Sequence, residues 1–342
     1  MAHRLINFQQ SEEWTAYVHR SVNYDFYHTW HYHSLEKGGE PFLFVYEEDD
    51  VFIALPLLKR KITNSNFFDL TSVYGYAGPI SNKEFKSVDT RILENFKNCF
   101  LDFMSTGKYI CAFSRLNPFA DQKVLMEKIG GICNNGKTVY IDLSIPIEQQ
   151  RSCYEKRLGK DIRHLRRISY SICEAVSSDE IKMFTDMYNE NMLRLGAESR
   201  YFHDEEYFIK LIKSEDSDCK LVVIYDGEKM ICGAVITCSG NIIRSHLSAT
   251  ATAYVNQSPS KLLTDEISVI GRKLGKRYFH LGGGVAGHED SLFKFKAAFS
   301  PLFLEDITWK FVSDMFVYED LVKSCKDNIN TDYFPLYRSA AS

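Results

Sequence analysis

Two lysines, Lys294 and Lys296, alternate with phenylalanines in SLFKFKAAFS, Ser291–Ser300, a short way after three consecutive glycines, Gly282–Gly284. An aromatic strand, Arg277–Leu281, leads into those glycines, and a polar turn, Gly287–Asp290, comes after them. Bare backbone offers N–H groups to an anion or a carbonyl oxygen, and an ammonium adds charge to the same task. The chemistry this favours is direct acyl transfer, in which the site orients two substrates and stabilises a developing oxyanion. Gly283, Lys294 and Lys296 are the expected elements of such a pocket. His246 and His288 are candidate proton acceptors for an incoming amine, although a packed structural histidine is the simpler reading of each.

Other chemistries find less support. Gly282-x-Gly284-x-x-Gly287 fits the dinucleotide fingerprint in form, but that motif should come after the first strand of a βαβ unit and open a long helix. Here several strands precede it and Pro301 comes soon after. There is no G-x-S-x-G and no cysteine in an activated setting. Glu289 and Asp290 are sequence neighbours and diverge on a helix, which is unsuited to a glycosidase pair. His28, His31 and His33 sit in YDFYHTWHYH without an acidic partner nearby, so an aromatic wall is expected there and no metal.

The elements that must hold the pocket are set by periodicity. Pro41–Tyr46 and Val51–Leu58 read as a strand pair, and Lys59–Lys61 as its solvated end, placed where it could also meet a phosphate. Phe67–Ile80 leaves a strand through Gly75 and Gly78-Pro79, with Tyr74 and Tyr76 as either core or ligand wall. Phe85–Met104 is expected to be helical, from Leu93, Phe96, Phe100 and Phe103. Tyr109–Leu116 and Lys137–Leu143 read as strands, with a short helix, Asp121–Ile129, between them. A single helix is expected over Ile147–Ile168, its apolar stripe Leu158, Ile162 and Leu165, and its basic stripe Lys156, Lys160, Arg163 and Arg167. That stripe reads as a solvated face or as a seat for phosphates or an RNA backbone.

After a strand at Ser169–Val176 come helices at Asp179–Leu195 and Asp204–Lys213. Their linker could aim Arg200 and Tyr201 into a cleft. Next is a meander, Leu221–Tyr225, Lys229–Cys238 and Ile242–Ala249, and then a helix over Ser258–Leu274 capped by Ser258. The free N–H groups of its first turn, with Ser260 and Lys261, make a candidate anion site.

Length and composition agree with an ordinary globular chain. Its 342 residues suggest two domains, with 45% hydrophobic and 25% charged residues and a net charge of −4. That charge argues against a DNA-coating protein. Nine scattered cysteines without a C-x-x-C pair fit a reducing compartment. The N-terminus lacks a signal-peptide core, and the longest apolar run, Val51–Leu58, is too short to span a bilayer. A cytoplasmic protein is expected.

Asp69–Ile80 (DLTSVYGYAGPI), Ser245–Thr250 (SHLSAT) and His280–Ser300 (HLGGGVAGHEDSLFKFKAAFS) resemble the FemAB-like branch of the GNAT acyltransferase superfamily, the peptidoglycan-bridge aminoacyltransferases and their relatives. The resemblance covers nearly the whole chain. It implies an α+β fold of two tandem GNAT-like domains, each a mixed, mostly antiparallel sheet flanked by helices. The expected divisions are 1–145, 146–311 with the acyl-donor site, and a segment 312–342 packing back on the first domain.

The resemblance further implies transfer of an aminoacyl group from tRNA to an amine of a UDP-linked or lipid-linked envelope precursor, with no tightly bound cofactor. It implies that Phe295 and Lys296 serve the acyl donor as catalytic residues. Ser258, Ser260, Lys261, Lys294 and Gly283 complete the expected donor side, and Arg200, Tyr201, Tyr74, Tyr76 and His246 the acceptor side. Lys37 is the nearest counterpart of a first-domain lysine that meets the acceptor's diphosphate. The family's Arg–Tyr spacing and the helical arm of some members are not reproduced. The motifs are worded most like relatives described simply as acetyltransferases, which leaves acetyl-CoA as an alternative donor and a capsule or nucleotide-linked sugar as an alternative acceptor. A non-catalytic module binding a nucleotide-linked sugar or peptide is a further alternative.

Overall fold

The structure, a computed structural model, describes residues 3–214, 218–324 and 333–341. The chain forms two compact units, Met1–Gly136 with Glu305–Ser342, and Lys137–Leu304. These divisions differ from those expected at 145/146 and 311/312. Each falls inside a strand rather than a loop, so the strand pattern of the sequence runs on across it.

The first unit opens with β1 (His3–Asn7), α1 (Ser11–Arg20), α2 (Trp30–Ser34), β2 (Glu40–Glu48) and β3 (Val51–Lys61). It continues through β4 (Phe68–Thr71), β5 (Ile80–Ser81), α3 (Thr90–Thr106), β6 (Tyr109–Arg115), α4 (Lys123–Ile129) and the start of β7 (Ile132–Asp142). Helix α3 starts later than its periodicity indicates, because Phe85–Ser87 is a separate turn and Asp89 caps Arg91 N at 2.7 Å. Its Phe96, Phe100 and Phe103 pack on Phe44 of β2, with Trp309 closing the same core.

The second unit holds the rest of β7 and then α5 (Ile147–Ser152), α6 (Lys156–Leu165), β8 (Ser171–Ala175), α7 (Ser178–Arg194) and α8 (Glu205–Ile212). The meander is β9 (Asp218–Asp226), β10 (Lys229–Ser239) and β11 (Ile242–Thr250). Then come α9 (Ser260–Lys273), β12 (Tyr278–Gly282), α10 (Ser291–Ala297) and β13 (Phe303–Val312), which carries the chain back to the first unit before α11 (Met315–Ser324). The helix expected over Ile147–Ile168 is two helices. Cys153 ends the first, and Glu155 N bonds to Ala298 O at 2.8 Å, so tertiary pairing interrupts a segment whose local pattern was continuous.

Among the described residues each unit builds a mostly antiparallel sheet containing one parallel pair of strands, β4 with β6 in the first unit and β11 with β12 in the second. The chain leaves the two pairs differently. In the first unit it leaves β4, returns as an isolated parallel bridge between Ala77 and Leu116, and is fixed by buried Gln122, which donates to Ala77 O at 2.8 Å and Pro79 O at 3.0 Å. In the second unit the ladder joins only Ile242–Arg244 to Tyr278–His280, and β11 runs on to Thr250. A register shift between His280 and Gly282, where β12 pairs with β7, re-aims the strand end.

The end of the chain packs within the first unit. Tyr318 and Tyr337 are buried with Ile62, Ile110 and Cys111. Asp69, fully buried, accepts from Arg60 and Arg338 at 2.6 Å each and from the Tyr337 hydroxyl at 2.9 Å. Arg60 therefore serves a buried carboxylate, in place of the solvated strand end expected for Lys59–Lys61. No helix among the described residues is long and apolar enough to cross a membrane.

Candidate acyl-transfer site

Where β12 ends, the backbone makes a tight loop. Gly282 and Gly287 lie at φ 79° and 83°, and Ala286 at 50°. Only glycine takes the first two freely. Gly284 is required for a different reason, since a Cβ there would stand 1.9 Å from His288 O. Two charges hold this loop. Asp290 caps α10 through Phe293 N at 2.8 Å and reaches back to Val285 N at 3.1 Å. Burial alone would raise the Asp290 carboxyl, but the N–H groups of Phe293, Val285 and Leu292 and the Lys296 charge hold it below the usual carboxylate range.

Lys296, half-buried on α10, donates from Nζ to Gly283 O at 2.6 Å. Lys296, Phe295 and Gly283 are thus brought to one place, the exit of β12 beside the end of the β11–β12 ladder. Phe295 is half-buried against Phe299, at 5.4 Å between ring centroids. Lys294 is on the same short helix but exposed. A half-buried ammonium fixed on a backbone carbonyl can meet an acyl oxygen as charge develops on it.

The start of α9 is not arranged as the sequence indicated. Ser258 does not cap the helix. It lies at φ 54°, ends a preceding turn, and leaves Pro259 in the capping position without a side-chain bond. Ser260 begins the helix, and its carbonyl accepts from Thr264 Oγ1 at 2.9 Å. Lys261 Nζ is 2.7 Å from Asp161 Oδ2 on α6, so this expected anion-binding lysine already has an internal carboxylate. That pairing holds Asp161 below its usual range. Sequence reasoning missed Asp161 because it is the single acid on a basic helix.

Helix α6 buries Leu158, Ile162 and Leu165, and exposes Lys156, Lys160 and Arg163, as the spacing required; Arg157 is exposed with them, and Arg167, also exposed, lies past the helix end, where the expected stripe had placed it on the helix. No ion pair among the described residues takes any of these five cations. The helix is tied to α9 by buried Asp265, which accepts from Arg151 at 2.8 Å, Arg166 at 2.5 Å and the Tyr154 hydroxyl at 2.8 Å.

The expected acceptor residues are spread over both units. Tyr74 and Tyr76 belong to the first. Tyr74 is 54% exposed, whereas Tyr76 is buried under the Arg115 guanidinium, 5.5 Å from its ring. Burial works against the Arg115 charge, but Tyr76 and Asp306 beside it outweigh that and raise it above the usual guanidinium range. Lys37, in the same unit, is exposed. Arg200 and Tyr201 form a turn between α7 and α8, where Arg200 pairs with Glu198 at 2.7 Å and stacks 5.1 Å from the Tyr201 ring.

His246 on β11 is buried, and desolvation, with the His203 charge, pushes it down to about 3. A group with so little proton affinity is a poor acceptor for an amine proton. His288 is exposed on the loop. Sequence reasoning also missed the buried pair Arg244 and His280, whose guanidinium and Nδ1 meet on the last rung of the ladder. Charged residues inside strand patterns give no signal of their burial. His28 and His33 are buried among Trp14, Phe26 and Tyr32, and no group of His, Cys, Asp and Glu among the described residues could hold a metal ion.

The two units share one construction, each a mostly antiparallel sheet with a parallel pair and flanking helices, the α+β arrangement that the resemblance implies. No family model and no curated protein matches the sequence. Solved structures do match in fold. FemX is 12% identical, with 93% of this chain and 99% of that chain covered and a TM-score of 0.72. L-PGS from Bacillus licheniformis is 13% identical, covering 91% and 95%, with a TM-score of 0.60. A conserved protein of unknown function from Bacteroides thetaiotaomicron is 12% identical, covering 91% and 99%, with a TM-score of 0.57. The chain shares the fold of these structures, FemX among them, as the resemblance of the sequence motifs implies.

Proposed function

We propose that the protein is an acyltransferase that moves an aminoacyl or acetyl group onto an amine of a cell-envelope precursor of peptidoglycan or capsule. The observation that carries this reading is Lys296 held on Gly283 O at the exit of β12, beside the end of the parallel ladder of the second unit. The amine nitrogen would attack the acyl carbonyl, a C–N bond would form, and the bond to the donor's oxygen or sulfur would break, one amine proton ending on that departing hydroxyl or thiol. Lys296 and the glycine N–H groups would take the oxyanion. The equivalent place in the first unit is filled by its own chain, the Ala77–Leu116 bridge and Gln122, which favours the second unit as the donor side.

For the donor, the unpaired cations of α6 favour the phosphates of a charged tRNA. Acetyl-CoA, with N-acetylation of a nucleotide-linked sugar, is the alternative, favoured by the wording of the motifs. The test is a donor comparison. Labelled aminoacyl-tRNA and labelled acetyl-CoA are each offered with a mixture of envelope precursors, and incorporation is measured in wild type and Lys296→Ala. Label from acetyl-CoA alone removes the tRNA reading. Label from neither, with nucleotide-linked sugar or peptide still raising the melting temperature, leaves a binding module.

A further inference from the structure

Asp290 and Lys296 stand at the two ends of α10 and close on the same three residues of the glycine loop. Lys296 Nζ donates to Gly283 O at 2.6 Å, and Asp290 Oδ2 accepts from Val285 N at 3.1 Å. Gly283–Val285 is thus gripped by an ammonium at one end and a carboxylate at the other. The second oxygen of that carboxylate caps the helix through Phe293 N at 2.8 Å. Asp290 therefore joins the loop that receives Lys296 to the helix that carries it. Gly284, inside the grip, lies so close that a Cβ there would stand 2.6 Å from Asp290 Oδ1.

A helix of seven residues is about two turns and does not hold its own direction. Buried Phe293 and the Asp290 cap fix the start of α10, and the direction of that start decides where the lysine of the last turn arrives. A displacement of about 1 Å at a reacting group costs up to roughly 100-fold in rate. The other charges around the loop are placed elsewhere. Glu289 turns to Lys137 on β7 at 3.3 Å, and Lys294 and His288 are exposed. Against the cost of burial, the N–H groups of Phe293 and Val285 and the Lys296 charge favour the ionised form of Asp290, and the attraction between the two charges is mutual.

We propose that Asp290 is a positioning residue for acyl transfer, acting through Lys296 by fixing both loop and helix and by setting a negative charge beside the ammonium. This role rests on the acyl-transfer reading; the hold on Lys296 itself does not. In the full chain carrying carbon-13 lysine, the Lys296 Cε signal, identified by its loss in Lys296→Arg, is titrated by NMR in wild type, Asp290→Asn and Asp290→Ser. Asn and Ser cap a helix about as well as Asp, so these variants should fold, and either one suffices. Without the carboxylate the midpoint should move down by about half a pH unit, the scale of a part-exposed pair. In the donor comparison the same variants should lose about tenfold in kcat with donor KM held within about twofold. The alkaline limb of kcat should move down with the midpoint. A cap that serves stability alone would leave midpoint and limb in place, with activity lost only in proportion to folded protein. That result overturns the proposal, as does a shifted midpoint with unchanged kcat. A shifted midpoint in a chain that transfers from neither donor upholds the hold on Lys296 and removes the acyl-transfer reading alone. Transfer by the wild type with an unmoved midpoint in the variants removes this proposal alone.

Discussion

Lys261 Nζ and Asp161 Oδ2 lie 2.7 Å apart, so the lysine of the first turn of α9 is already occupied by a carboxylate of α6. An anionic donor approaching this helix end would compete with Asp161. Asp161→Asn should lower the donor KM two- to fivefold at unchanged kcat, since a part-exposed pair of this kind contributes up to about 1 kcal/mol. Steady-state kinetics decide it. An unchanged KM would mean that the donor's charge does not reach Lys261.

Lys296→Ala should reduce transfer about 100-fold, the usual cost of one oxyanion donor. The melting temperature should barely move, because the ammonium is only half-buried where it meets the Gly283 carbonyl. A large loss of stability with proportionate loss of activity would reassign Lys296 to holding the loop.

Reversing charge on the exposed face of α6, with Lys160→Glu and Arg163→Glu, separates the two donors. If tRNA phosphates lie there, the slope of log affinity against log salt should fall by roughly 0.7–0.9 for each lost contact. Acetyl-CoA turnover that ignores both changes, in a protein that does not bind tRNA, would leave this face without a donor role.

Asp69→Asn should be the most destabilising single substitution outside the apolar cores. It leaves Arg60 and Arg338 facing a neutral, buried amide, and breaking such a pair by removing one partner costs about 3–5 kcal/mol. Urea denaturation measures the loss. A cost under about 1 kcal/mol would show that the chain end is held by Tyr318 and Tyr337 packing alone.

Acid should destabilise the fold through buried imidazoles. Desolvation lowers His28, and pushes His33 and His246 down to about 3, while the unfolded values stay near 6.5. The unfolded chain therefore binds more protons below pH 6.5, so the stability present above that pH is lost as pH falls toward 3. Each group contributes up to about 1.4 kcal/mol per pH unit in that window. Urea midpoints at pH 7.5, 6 and 5 should decline, and His33→Gln should flatten the decline. A flat profile in wild type would contradict it.

The sequence by itself determined a good deal. The periodicity of Leu158, Ile162 and Leu165 against Lys156, Lys160 and Arg163 fixed which face of α6 is buried, because helix geometry alone sorts those positions. The meander β9–β11 and the glycine turn into α10 were legible for the same local reason, as alternation and turn residues each act over a few residues. Tertiary structure decided what local pattern does not encode. It put Lys261 on Asp161, gave Arg60 to Asp69, broke the helix near Cys153, and buried His246 until it no longer holds a proton readily. Each is a pairing or a desolvation set by how the elements pack, where the free energy depends on the partner and its burial rather than on spacing.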